Sequence, residues 1–156
     1  MRRACLAAVV LFSTTTAFAR GPEGRTVGIG ICLPEPSGFT LEAYVSHSTA
    51  IDFVIGWDTF NNRNGYGHLD YLVMPVDLAR GGSVSVPLYL GIGGWLIDAG
   101  GDLYFGARVP FGLALNFRSA PLQIFGELAL KIILASPHDP GDRLDLDGDV
   151  GFRIFF

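Results

Sequence analysis

From Val27 onward, apolar residues alternate with polar or small ones at a period of two, the spacing that sends successive side chains of an extended strand to opposite faces. Val27, Ile29, Ile31 and Leu33 alternate with Gly28, Gly30 and Cys32, and Phe39, Leu41, Ala43 and Val45 with Thr40, Glu42, Tyr44 and Ser46. Ile51, Phe53, Ile55 and Trp57 follow around Asp52, Gly56 and Asp58, and then a stretch from His68 to Asp77 alternates less cleanly and leaves its facing open. The second half is more regular. Val84 to Ile92, Leu103 to Phe117, Leu122 to Ile132 and Leu144 to Phe156 each keep one apolar face. Residues 121–135 also fit a helix face through Leu122, Phe125, Ala129 and Ile132, but Gly126 and the register of the neighbours favour a strand.

The result is eight segments of roughly 7–15 residues, most near or above the 9–11 that a tilted transmembrane strand needs. Turn residues separate them: Pro34–Gly38, His47–Thr49, Asn61–Gly67, Arg80–Gly82, Ala99–Gly101, Arg118–Pro121 and Ser136–Arg143. The expected fold is therefore all-β, an eight-stranded antiparallel up-and-down barrel over residues 26–156, with a short lead at 20–25. An even strand count puts both termini on one side, and eight strands give an interior filled by side chains.

Alternation fits a soluble sandwich with its apolar face inward and a membrane barrel with that face outward. Composition bears on the choice. The chain is 49% apolar, carries 21 glycines and is only 17% charged, and the face opposite the apolar one is rich in glycine rather than lysine and glutamate. No run of 18 apolar residues lies beyond the extreme N-terminus, so a spanning helix is excluded and lipid contact requires a closed barrel. Aromatics near segment ends (Phe39, Trp57, Phe60, Phe111, Phe117, Phe152, Phe156) read as interfacial girdles, and the chain ends on Phe156 with no tail after the strand.

The first residues give an address. Arg2 and Arg3, the apolar run Ala4 to Phe12, and Ala17-Phe18-Ala19 form the three parts of a secretory signal peptide, residues 1–19, cleaved after Ala19. Cleavage leaves 137 residues with nine basic and 15 acidic side chains, a net of −6, and Cys32 as the one remaining cysteine. An acidic chain lacks the basic footprint of nucleic-acid binding, and a single cysteine makes no internal disulfide. The expected location is the cell outer membrane of a Gram-negative envelope, with lipid as partner and a monomeric state.

The last eight residues, Asp149 to Phe156, resemble the β-signal of outer-membrane proteins, with Asp149, Gly151, Ile154 and Phe156 at its polar, glycine and apolar places. That resemblance implies recognition by the barrel-assembly machinery through strand pairing at the seam. More broadly, Pro34 to Trp57 and Leu88 through Arg108-Val-Pro110 resemble a family of small OmpA-like eight-stranded barrels of unknown function, which implies no catalytic residues.

Six charged residues fall on the polar face: Glu42, Asp52, Arg108, Glu127, Lys131 and Arg153. Turned inward they must pair, and Glu127 is expected between Arg108 and Arg153, with Glu42 or Asp52 closing the ring. A lumen plug is the leading reading, and a salt-bridge gate for small ions the sharper one. Asp145, Asp147 and Asp149 miss the spacing of a calcium loop and read as one face of a strand; a divalent-cation contact at the outer rim with Asp139 and Asp142 is a separate reading. Gly28-Ile-Gly30 and Gly91-Ile-Gly-Gly94 precede no helix, so no phosphate cradle forms. His47 beside Ser48 falls in a turn, and His68 and His138 have no serine at their level, so no catalysis, metal or cofactor is expected. The leading function is a structural or interaction barrel. The alternatives are a soluble lipocalin-like barrel for an apolar ligand and a narrow ion channel gated by lumen salt bridges.

Overall fold

The computed structural model describes residues 21–58, 64–135 and 143–156. The expected signal peptide, the loop residues 59–63 and 136–142, and with them Phe60, His138, Asp139 and Asp142, lie outside the described residues. A short 3-10 turn, Pro22–Gly24, leads into eight strands: β1 (Val27–Glu35), β2 (Ser37–Tyr44), β3 (Thr49–Trp57), β4 (Gly65–Arg80), β5 (Val84–Ala99), β6 (Asp102–Phe117), β7 (Leu122–Ala135) and β8 (Leu144–Phe155). Each pairs antiparallel with the next, and β8 returns to β1 from Gly28↔Phe155 to Glu35↔Gly148, which closes the barrel in sequence order. Closure satisfies every strand on both sides and leaves no edge.

Residues 121–135 carry no helix, and Leu122–Ala135 form β7. Two expected turns are shorter than their sequence implied. Only Pro36 separates β1 from β2, and β4 begins at Gly65, inside the expected Asn61–Gly67 turn. Gly100 and Gly101 turn the chain between β5 and β6 with φ of 69° and 102°, values that favour glycine.

Facing in β4 is settled by the structure. Tyr66, His68, Asp70, Leu72 and Met74 point inward and are buried, while Leu69 and Tyr71 are exposed. Beyond Val73 the β4–β5 ladder shifts twice, between Val73 and Val76 and between Asp77 and Ala79, so the inside–outside rhythm is lost there. Pro75 falls within the first shift, where a residue without an N–H is tolerated.

The distribution of side chains is inverted relative to a soluble domain. Among the described residues, exposed large apolar side chains outnumber buried apolar ones more than two to one, and the exposed set includes Ile29, Leu33, Phe39, Ile55, Ile92 and Leu134. The buried set is dominated in volume by Arg108, Lys131, Phe155, Leu72, Gln123 and Glu42. Phe39 and Trp57 lie near one rim and Phe117 and Phe156 near the other, but Phe111 and Phe152 sit well inside their strands, within the apolar belt rather than at its border.

Room for large inward side chains comes from glycine on neighbouring strands. At Gly93 a Cβ would overlap the Asp70 carboxylate and the Leu69 carbonyl. Outward-facing Gly67 is different, since a Cβ there meets only the Val54 carbonyl at 3.5 Å. Gly93→Val is therefore expected to destabilise the fold by about 1–3 kcal/mol through overpacking, and Gly67→Ala to stay within about 0.5 kcal/mol of the parent. Urea unfolding midpoints of the two variants check this, and equal midpoints would refute the lumen-crowding account.

Candidate functional site

The ladder places the charged residues in one row around the barrel wall. Glu42 is level with Asp52, Asp52 with Asp70, Asp70 with Gly93, Gly93 with Arg108, Arg108 with Lys131, and Lys131 with Asp145. Three adjacent strands, β2 to β4, thus present carboxylates, and β6 and β7 present cations. Gly93 stands between the two sets, and the space above it lets Asp70 approach Arg108, whose Nε lies 3.4 Å from Asp70 Oδ2.

Three cations organise the lumen. Arg153, on β8, is buried and donates to Asp52 Oδ1 at 2.8 Å, to Gln123 Oε1 at 2.9 Å, to Thr40 Oγ1 at 2.8 and 2.9 Å, and to Glu42. Its guanidinium also stacks 3.9 Å from the centre of the Phe125 ring. Arg108 is fully buried; it donates to Glu127 Oε1 at 2.5 Å and to His68 Nδ1. Lys131 sits 2.6 Å from Asp147 and 2.9 Å from Asp145, with the rings of Trp95 and Tyr66 5.3 and 5.8 Å from its Nζ. Tyr66 links the last two groups, donating to Asp147 at 3.1 Å and lying 3.3 Å from His68 Nδ1. Toward the termini Tyr44 and Phe155 close the column, their ring centroids 5.8 Å apart, next to Gln123 and Asn116.

Glu127 does not join the two arginines. It pairs with Arg108, because β7 holds it level with Gly112 and Asp149, whereas Arg153 is level with Gln123 and reaches Glu42 and Asp52 instead. Lys131 has its own acidic partners on β8 rather than a place in that ring. His68, Asp70, Asp147, Tyr66, Trp95 and Gln123 belong to the network and were absent from the six residues expected there. Tyr66 lay in the expected Asn61–Gly67 turn, and His68 and Asp70 in the stretch whose facing the sequence left open, where the ladder shifts after Val73. Asp147 and Asp149 line the inner wall, while Asp145 is exposed at the rim.

The four residues of the C-terminal pattern lie along the seam. Asp149 is level with Pro34, Gly151 with Cys32 and Ile154 with Ile29, and the Phe156 N–H donates to the Val27 carbonyl at 2.8 Å. Asp149 and Gly151 face inward, the latter under the Phe125 ring, and Ile154 and Phe156 face outward. His47 lies at the termini-side rim, lining a cup of about 580 Å³ with Asp77, Arg80, Ser85, Asn116 and Arg118. No protein-family model, curated protein or solved structure matches the chain.

An interior filled by side chains and crossed by ion pairs differs from the apolar cavity that a lipocalin-like ligand requires. Removing Arg153 would strand Glu42 and Asp52 in a dry interior, so Arg153→Met is expected to cost about 3–5 kcal/mol. Arg80 is half exposed and pairs with Asp77 three residues away, so Arg80→Gln is expected to cost less than about 1 kcal/mol. Chemical denaturation of both variants gives the comparison, and a mild Arg153→Met would show that the column does not hold the barrel together.

Proposed function

We propose that the chain is an integral barrel of a Gram-negative-type outer membrane with a structural or interaction role, its lumen sealed by side chains. The observation that carries this reading is the inversion of the fold: an apolar belt around the outside and paired charges within. In water such a belt is a large exposed apolar surface, far beyond the patch a monomer tolerates. In a bilayer it is the required boundary, since a closed ladder leaves no backbone group unsatisfied toward hydrocarbon.

The signal peptide at residues 1–19 and the Asp149, Gly151, Ile154, Phe156 pattern support the same address. The proposed partners are outer-membrane lipid and, during biogenesis, the barrel-assembly machinery, which meets the chain at the β1–β8 seam. The resemblance of Pro34–Trp57 and Leu88–Pro110 to small OmpA-like barrels of unknown function agrees with this. We propose no catalysis, no cofactor and a monomeric state.

The test is fractionation with heat-modifiability. The mature protein is expected in the outer-membrane fraction, with an unboiled band on a denaturing gel that runs ahead of the boiled one. A chain released into the soluble fraction with no band shift would overturn the reading and favour a soluble barrel. In planar bilayers the parent is expected to be silent. Arg108→Ala is expected to give cation-preferring conductance, because it leaves the carboxylates of the lumen in greater excess. A parent that conducts freely would refute the sealed lumen.

A further inference from the structure

Charge in the lumen does not balance. Six inward carboxylates are buried on the strands (Glu42, Asp52, Asp70, Glu127, Asp147 and Asp149), against three buried cations (Arg108, Lys131 and Arg153). Each uncompensated buried charge is expensive, so a carboxylate in excess of the cations is either neutralised by a proton or met by a further cation. The shortfall concentrates around Arg108. Neither Asp70 oxygen accepts a hydrogen bond although the residue is 1% exposed, and Asp149 Oδ1 and His68 Nε2 are likewise buried without a hydrogen-bond partner.

Ligand atoms of His68, Asp70 and Glu127 lie within 4.8 Å of one another, a spacing that suits a metal ion. Arg108 occupies that cradle, donating to His68 Nδ1 and Glu127 Oε1 and facing Asp70. We propose that a divalent transition-metal ion of the zinc class exchanges with the Arg108 guanidinium in this cradle. His68 presents Nδ1 to Arg108 and Tyr66 and Nε2 to Asp52 and Asp70, so one ring nitrogen can take a metal while the other keeps its proton. His68 Nε2 lies 3.8 Å from Asp70 Oδ2 and 3.9 Å from Asp52 Oδ2, so carboxylates of the kind that orient a metal-bound imidazole stand on that side of the ring. One imidazole with two carboxylates favours zinc, cobalt or manganese over calcium or magnesium.

The displaced guanidinium has somewhere to go. Asp149 is level with Glu127 on the adjacent strand, and its Oδ1, buried without a hydrogen-bond partner, offers the guanidinium an acceptor. A divalent ion in the cradle meets carboxylates that outnumber the three buried cations.

The experiment is calorimetric titration of the folded full-length chain, in detergent micelles and after treatment with a chelator, using zinc chloride and, separately, magnesium chloride. Cobalt chloride reports the ligand set through its visible absorption. Circular dichroism confirms each variant's fold independently of any membrane. One zinc per chain is expected, with magnesium at least tenfold weaker. His68→Gln and Asp70→Asn are each expected to weaken zinc at least tenfold, and whichever of them stays folded serves for the reading. Arg108→Gln, which removes the resident cation, is expected to bind zinc at least tenfold more tightly than the parent. A folded parent that takes up no zinc overturns the proposal, as does uptake that is undiminished in the folded cradle variants.

Discussion

Charge neutralisation inside a closed wall is the constraint from which the remaining structure follows. Arg153 and Arg108 are too large to lie in an eight-stranded lumen unless neighbouring positions are small, and too strongly charged to lie there unless carboxylates meet them. The first demand places glycine opposite the bulk, as at Gly93 beside Asp70 and at Gly151 under Phe125. The second sets Glu42, Asp52 and Asp70 on β2 to β4 across from Arg153 and Arg108, and Glu127 and Asp147 beside Arg108 and Lys131. Once the polar side chains have one another, the outer face is free to be apolar along its whole height.

Sequence periodicity made the architecture legible because a closed barrel imposes one rule on every strand. Alternation needs only a two-residue period, and most strands obey it from end to end. Where the rule weakened, between His68 and Asp77, two causes meet: Leu72 and Met74 are apolar yet face inward, and the ladder is shifted beyond Val73. The identities of the lumen charges were readable for the same reason. Their partners were not, because a pairing such as Arg153 with Glu42 joins residues more than a hundred positions apart and depends on strand register. One residue of slip would have given a different partner. His68 and Asp70, adjacent to that irregular stretch, were the most consequential omissions.

The outer surface and the lumen answer to different kinds of substitution. Outward positions place looser demands on side-chain shape, as the ordinary contact distance a Cβ would meet at Gly67 indicates. Inward positions are coupled through shared partners: Asp52 serves Arg153 and Thr40 and also faces His68, so changes there will not add independently. A lumen built in this way tolerates little drift, while the belt around it tolerates a great deal.

Pairing of the first strand with the last has a kinetic consequence. Gly28 meets Phe155, so the ladder that completes the fold is also the one with the greatest separation along the chain. Contacts of this kind form late, because the entropy of bringing distant segments together must be met before any bond rewards it. Until that moment β1 and β8 each offer an unpaired edge to any neighbouring chain. The hazardous stage in the life of this protein is therefore the interval between making its strands and joining the two ends, and an escort that shields those edges would act on speed rather than on final stability.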